Sequence, residues 1–229
     1  MTIETMTVPM TADATTTATT RVAIVEDHRM VAESLADVLG MEADLEVVGI
    51  ADTGEAGVEL AARSRPDVAL VDYRLPGIDG IEVALAIRSR SPRTRVVMLT
   101  SVVGDAVLAR AIDAGCSGYV IKSSPLDEVI AAVRAAARGE SAISARLLAR
   151  VLPRLSSSYQ EPAGTLTARE REVLGQVALG KGNADIAASL VVSVNTVRNH
   201  IQNTLTKLEA HSRLEAVAIA VREGLIERA

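Results

Sequence analysis

The sequence is very poor in aromatic residues. Its 229 residues include three tyrosines but no phenylalanine and no tryptophan. Hydrophobic residues still make up 48% of the chain, so we expect packed cores of alanine, valine, leucine and isoleucine. The shortage excludes a nucleic-acid surface that works by stacking bases on aromatic side chains.

Cysteine and long apolar runs are also scarce. The single cysteine, Cys116, excludes an intrachain disulfide bond and a zinc site built from cysteines. No apolar run approaches the roughly 18 residues that a membrane span needs. The first residues lack the basic and then apolar pattern of a secretory signal. We therefore expect a cytoplasmic protein with no membrane partner.

Charge is distributed unevenly along the chain, whose net charge is −5. Residues 1–20 contain nine threonines and no apolar pattern, which predicts a disordered tail. Residues 21–140 carry 13 basic and 19 acidic side chains, whereas residues 163–229 carry 8 basic and 7 acidic ones. An acidic N-terminal part followed by a slightly basic C-terminal part indicates two domains with different partners.

Strand-like and helix-like segments alternate from residue 21 to residue 140. The pattern predicts strands at 22–26, 45–51, 67–72, 96–100 and 118–121, and helices at 29–40, 55–63, 82–90, 105–114 and 126–138. Continuous apolar strands separated by helices indicate a doubly wound α/β domain with a parallel five-stranded sheet. Ligands of such sheets bind beyond the carboxyl ends of the strands.

The remaining chain is predicted to be helical. Residues 141–164 are interpreted as a linker with a short helix at 145–155, and residues 165–229 as an all-α domain of four helices. Capping boxes at Thr167–Glu170 and Ser212–Glu215 open its first and last helices. The second and third helices, at 183–190 and 194–208, form a helix-turn-helix pattern with Ser193 as N-cap.

Side chains suited to phosphoryl chemistry stand at the predicted strand ends. Glu26 and Asp27 end the first strand, Asp72 the third and Thr100 the fourth, and Lys122 follows the fifth. Strand ends of a parallel sheet converge on one edge, so these groups should share a pocket. A lone aspartate there is usually a turn or cap residue, but the complete set predicts a Mg²⁺ site beside a carboxylate nucleophile, Asp72.

The segments VAIVEDHRMV, DVALVDYRLPGIDG, VVMLTS and GYVIKSSPLDE resemble the receiver domain of bacterial response regulators, which has a flavodoxin-like fold. The resemblance implies that Asp72 accepts a phosphoryl group from a sensor histidine kinase. It further implies a metal site formed by the acidic pair, Glu26 and Asp27, together with Asp72 and the backbone carbonyl of Arg74. Thr100 would be the switch hydroxyl, Lys122 the invariant lysine and Tyr119 the switch aromatic. Tyr119 has the alternative interpretation of an aromatic at a surface edge.

The segment LTAREREVL…GNADIAASLVVSVNTVRNHIQNTLTKL resembles the LuxR-type DNA-binding domain of NarL/FixJ-type regulators. The resemblance implies a recognition helix in the major groove of double-stranded DNA. Spacing makes Asn195, Arg198, Asn199 and Gln202 candidates for base edges, and Thr196, His200 and Lys207 candidates for phosphates. Each polar residue has the alternative of a solvated helix face, and His200 that of a packing or capping residue. Asp185 and Thr204 depart from the family pattern.

Together these features predict a two-component response regulator that forms a homodimer on DNA when phosphorylated. It is not expected to be an enzyme beyond its own phosphoryl transfer and dephosphorylation. An alternative is a transcription factor that binds DNA without phosphorylation. A phosphatase with an aspartate nucleophile is a third class, but such enzymes usually carry a second carboxylate two residues later, where this chain has Arg74.

Overall fold

The computed structural model describes residues 19–101, 104–143, 147 and 166–226. Of the predicted tail at 1–20, residues 1–18 lie outside these residues and Thr20 is the first residue of β1; most of the predicted linker, including its short helix apart from Leu147, also lies outside them. The strands are β1 to β5 and the helices α1 to α9, with the following bounds in chain order: β1 Thr20–Val25, α1 Arg29–Gly40, β2 Leu45–Ala51, α2 Gly54–Ser64, β3 Val68–Asp72, α3 Gly80–Arg90, β4 Arg95–Thr100, α4 Asp105–Asp113, β5 Gly118–Ile121, α5 Leu126–Ala137, α6 Ala168–Ala178, α7 Asn183–Leu190, α8 Val194–Lys207 and α9 Arg213–Arg222.

The five strands form one parallel sheet in the order β2-β1-β3-β4-β5. Alternate residues of each strand enter different cores: Val22 and Ile24 pack with α1 and α5, whereas Ala23 and Val25 pack with α2, α3 and α4. Both faces are therefore covered, which explains why the strands are apolar at successive positions. The predicted doubly wound α/β fold is confirmed.

The outer edge of β5 is extended by the chain that follows α5. Ala142 forms a parallel bridge with Gly118, and its carbonyl oxygen accepts a hydrogen bond of 2.9 Å from the backbone N–H of Tyr119. A Cβ on Gly118 would lie 2.5 Å from the Cβ of Ala142. Only glycine at position 118 permits this approach, so the first residues of the predicted linker belong to the sheet.

The C-terminal helices form a separate layer whose apolar residues join the core beside α4. The capping box at Thr167 is present, since Thr167 Oγ1 accepts from Glu170 N and Glu170 Oε2 accepts from Thr167 N. The predicted box at Ser212 is only half formed. Ser212 Oγ caps Glu215 N, but the Glu215 carboxylate accepts from His211 N at 2.7 Å, and its other oxygen lies 3.9 Å from Arg88 Nη1 of α3.

Candidate functional site

The predicted strand-end residues meet at one edge of the sheet and form what we call the acidic pocket: Glu26, Asp27, Asp72 and Lys122. Carboxylate oxygens of the three acids lie within 4.8 Å of one another. Lys122 Nζ lies 2.5 Å from Glu26 Oε2 and 2.9 Å from Asp72 Oδ2. The lysine thus holds the innermost acid and the predicted phospho-acceptor at the same time.

Backbone hydrogen bonds beyond the strand ends fix these positions. Glu26 N donates to Ala51 O of β2 at 2.9 Å, and Lys122 N donates to Thr100 O of β4 at 2.8 Å. Glu26 and Asp72 are buried, while about a quarter of the Asp27 side chain is exposed. Asp27 therefore lies at the entrance of the pocket, while Glu26 and Asp72 lie deeper, at the ends of β1 and β3.

The electrostatics of the pocket are strongly negative. Burial alone would lower the pKa of Lys122, but its contacts with Glu26 and Asp72 outweigh burial and raise that pKa above its usual value. One ammonium group stands against three carboxylates, so the site has capacity for a further cation. Oxygen donors at this density match Mg²⁺, which prefers carboxylate and water ligands.

The predicted switch residues lie on neighbouring strands. Thr100 is fully buried at the end of β4, and Tyr119 is buried on β5 opposite Met98. Because Met98 and Thr100 are two residues apart on one strand, their side chains and that of Tyr119 point to the same face of the sheet. The interpretation of Tyr119 as a surface aromatic therefore does not fit its environment.

Two residues that sequence analysis missed also shape the pocket. His28 Nδ1 lies 2.9 Å from Asp27 Oδ1 and 3.3 Å from Glu26 Oε1, and the hydrogen bond to Asp27 raises the pKa of the imidazole. Gly80 brings the start of α3 against the acceptor strand, because a Cβ there would lie 2.8 Å from Tyr73 Cα. The glycine that follows the N-cap Asp79 was the available sequence signal.

The predicted recognition helix, α8, begins at the predicted N-cap, since Ser193 Oγ accepts a hydrogen bond from Thr196 N at 3.0 Å. Val197 and Ile201 are buried, and Thr204 is satisfied by donating to the carbonyl oxygen of His200 at 2.8 Å. The candidate base-reading residues Asn195, Arg198, Asn199 and Gln202 are all exposed.

The candidate phosphate-binding residues of α8 are less exposed than the base-reading ones. Thr196, His200 and Lys207 are half-buried. Lys207 Nζ lies 2.7 Å from Glu170 Oε2, and this contact fastens the end of α8 to the start of α6. The structure therefore gives Lys207 an internal partner, while its contact with DNA stays a prediction.

The receiver and the C-terminal helices touch through α4 and α9. Arg88 at the end of α3 lies 3.9 Å from Glu215 of α9, and a Cβ on Gly115 would lie 3.4 Å from His211 Cβ. Gln202 of the recognition helix lines a cavity whose other walls are mostly receiver residues. Part of the predicted DNA-reading surface therefore faces the receiver in this arrangement.

Family models match both parts of the chain: "Response regulator receiver domain" matches residues 22–134, and "Bacterial regulatory proteins, luxR family" matches residues 164–220. No helix of the described residues is long and apolar enough to cross a bilayer.

Relatives match nearly the whole chain. The transcriptional regulatory protein LiaR of Bacillus subtilis is 38% identical over 90% of this chain and 99% of its own length. The probable transcriptional regulatory protein NarL of Mycobacterium tuberculosis is 37% identical over 90% of this chain and 96% of its own. The crystal structure of ChrA, a response regulator of a heme-sensing two-component system, aligns with a TM-score of 0.50 and 29% identity over 91% of this chain and 100% of its own.

Proposed function

Because the chain belongs to the response regulators that join a receiver domain to a LuxR-type DNA-binding domain, we propose that phosphorylation of Asp72 controls its binding to DNA. The observation that carries the proposal is the position of Lys122 Nζ, 2.5 Å from Glu26 and 2.9 Å from Asp72 at the sheet edge. This arrangement holds a buried carboxylate beside a cation that can neutralise an incoming phosphoryl group.

Asp72 is the proposed nucleophile. Its carboxylate oxygen bonds to phosphorus while the bond from phosphorus to the histidine nitrogen of a sensor kinase breaks, and the released imidazole takes up a proton. Lys122 then pairs with the new phosphoryl oxygens. Glu26, Asp27, Asp72 and the backbone carbonyl of Arg74 would hold Mg²⁺, which supplies neutralisation of the transferred charge. The receiver acts on its own phosphoryl group and has no separate substrate.

The proposed switch runs from Thr100 through Tyr119. Thr100 closes β4 beside the pocket, and Tyr119 lies on the same face of the sheet one strand further out. A new phosphoryl group on Asp72 gives the Thr100 hydroxyl an anionic acceptor. Movement of Thr100 changes the space beside Tyr119, which borders the α4 side of the receiver where α9 is docked.

We propose that the tail ends before Thr20, where β1 begins, that the receiver extends through the bridge at Ala142, and that a linker up to residue 164 joins it to a DNA-binding domain at 165–229. In the DNA-binding domain, the exposed Asn195, Arg198, Asn199 and Gln202 read base edges, and Thr196, His200 and Lys207 contact phosphates. The net charge of this part is only slightly positive, so a dimer on a two-fold site would add the contacts that one copy lacks. Because its proposed partner is DNA, we propose that the protein acts in the cytoplasm.

Incubation with Mg²⁺ and acetyl phosphate tests the proposal. Mass spectrometry should detect a gain of one phosphoryl group by the wild-type chain and by the control Asp37→Asn, which alters an exposed acid on α1. Asp72→Ala should show no gain, while a fragment of residues 163–229 should bind DNA whether or not phosphodonor is present. No gain by the wild-type chain would favour a DNA-binding protein that works without phosphorylation.

A further inference from the structure

The cavity between the two domains lies at the opposite end of the sheet from the acidic pocket. We call it the interdomain cavity; its volume is about 610 Å³. Arg95 lines it at the first residue of β4, whereas Thr100 ends the same strand beside the pocket. Arg88 and Arg93 line it from the receiver, and Gln202 and His211 from the C-terminal domain. The interdomain cavity is therefore separate from the acidic pocket.

The lining of the interdomain cavity is positively charged. Three arginines face one carboxylate, Asp67, which already accepts a hydrogen bond of 2.8 Å from Arg21 N. Arg88 is held by the carbonyl oxygen of Ala114 at 3.0 Å. Arg93 and Arg95 are exposed, and neither guanidinium forms a salt bridge within the part of the chain that the structure describes. Two of the three cations are thus available to a ligand.

The C-terminal domain carries a buried cation, Arg213, that does not line the cavity but interacts electrostatically with Arg95. Arg213 is buried, with Nη2 donating to Asn183 Oδ1 at 2.8 Å. Burial lowers its pKa to about 10, and Arg95 and Arg198 add to this effect while Glu140 opposes it. In the docked arrangement Arg95 of the receiver therefore repels the buried Arg213, while Glu140 of the receiver attracts it. Like charges repel strongly away from bulk water.

We propose that the interdomain cavity binds a small multivalent oxyanion of the pyrophosphate class and that this anion stabilises the docked domains. Arg93 and Arg95 would supply charge-assisted hydrogen bonds from the receiver, and Gln202 a hydrogen bond from the recognition helix. The lining offers guanidinium and amide N–H donors and no phenylalanine, tyrosine or tryptophan, so it suits the oxygens of phosphate groups better than a nucleobase.

The anion would hold Gln202 against the receiver and so weaken DNA binding. This last consequence rests on the proposed function, whereas the site itself does not.

Calorimetry on the full chain, without Mg²⁺ or phosphodonor, tests the site with sodium pyrophosphate as the probe. The double variant R93Q/R95Q should bind pyrophosphate at least about tenfold more weakly than wild type, because two charge-assisted contacts are lost. R29Q/R63Q removes the same charge from exposed receiver positions away from the cavity and should bind like wild type. Equal binding to R93Q/R95Q, or no binding to wild type beyond that of sodium chloride at equal ionic strength, would overturn the proposal.

Cys116 provides a second measurement because it is the only cysteine and lines the same cavity. Burial raises the pKa of its thiol to about 12, so the docked form should react slowly with the neutral reagent iodoacetamide. Pyrophosphate should slow the labelling several-fold in wild type and in R29Q/R63Q, but not in R93Q/R95Q. Binding that leaves the labelling rate unchanged would refute the stabilisation of the docked domains.

The measurement also separates this proposal from the phosphorylation of Asp72. The variant Asp72→Asn should respond to pyrophosphate as wild type does, since Asp72 does not line the interdomain cavity. Loss of the pyrophosphate response in Asp72→Asn alone would place the anion in the acidic pocket and overturn the assignment. Failure of acetyl phosphate to modify the chain would leave the pyrophosphate result unaffected.

Discussion

The acidic pocket and the recognition helix differ in how much of their geometry the chain itself supplies. In the pocket, Lys122 contacts two carboxylates and the backbone of every strand end is hydrogen-bonded to a neighbouring strand. On α8, the candidate base-reading residues Asn195, Arg198 and Asn199 are exposed, while Gln202 lines the cavity beside the receiver. The pocket is therefore organised by its own contacts, whereas the exposed side chains of α8 would be ordered only by the DNA that we propose they bind. Substitutions in the acidic pocket should therefore change the stability of the fold as well as its function, whereas substitutions of exposed residues on α8 should change DNA binding alone.

The largest effect should come from Lys122→Met. Removal of the ammonium leaves the buried carboxylates of Glu26 and Asp72 without their shared lysine partner, so the free energy of unfolding should fall by about 3 kcal/mol. Urea denaturation measures this loss, and added Mg²⁺ should restore part of it by neutralising the same oxygens. Unchanged stability would show that the pocket is not held together by its charges.

Gly80→Ala should have the next largest effect. The added Cβ would overlap the backbone of Tyr73 and Asp72, so we expect a loss of about 2 kcal/mol in unfolding free energy together with slower phosphorylation. Gly40→Ala is the matched control, because a Cβ at the end of α1 meets nothing within 4 Å. Equal denaturation midpoints for the two variants would contradict the role given to Gly80.

On the recognition helix, Asn199→Ala should change DNA binding without changing stability. Loss of one base contact should weaken specific binding about tenfold, while the melting temperature stays the same because the side chain is exposed. Asn203→Ala removes the same exposed side chain one turn further along α8 and should bind normally. Gel-shift titration on a site selected from random DNA makes the comparison, and an equal loss for both variants would contradict the assignment.

The smallest effect concerns the brace between α6 and α8. Burial would raise the pKa of Glu170, but hydrogen bonds from Lys207 and Thr167 outweigh it and lower that pKa. The stabilisation is therefore present above the unfolded-state pKa, near 4.5, and is lost as pH falls through the lower folded-state value.

Glu170→Gln should remove this acid dependence and cost about 1 kcal/mol at neutral pH. Glu172→Gln, which alters an exposed acid paired with Arg169, is the control and should keep it. Thermal unfolding between pH 3 and pH 7 gives both curves.

The sheet, the helices and the acidic pocket could be predicted from sequence because local patterns fix them. Apolar strands end in charged residues, and parallel pairing then brings Glu26, Asp72 and Lys122 together with no further information. The half-formed cap at Ser212 could not be predicted, since Glu215 turns toward Arg88 of another domain. The same applies to Gly80 and Gly118, whose close contacts depend on segments distant in sequence.

The bridge between Ala142 and Gly118 changes where the tether between the domains begins. Because residues 141–143 run beside β5, the DNA-binding domain is anchored next to Tyr119 and not at the end of α5. A shorter tether raises the local concentration of one domain near the other and so favours the docked arrangement. The bridge at Ala142 also covers part of the outer edge of β5. Without it, this edge would offer unpaired backbone groups to other chains and favour aggregation.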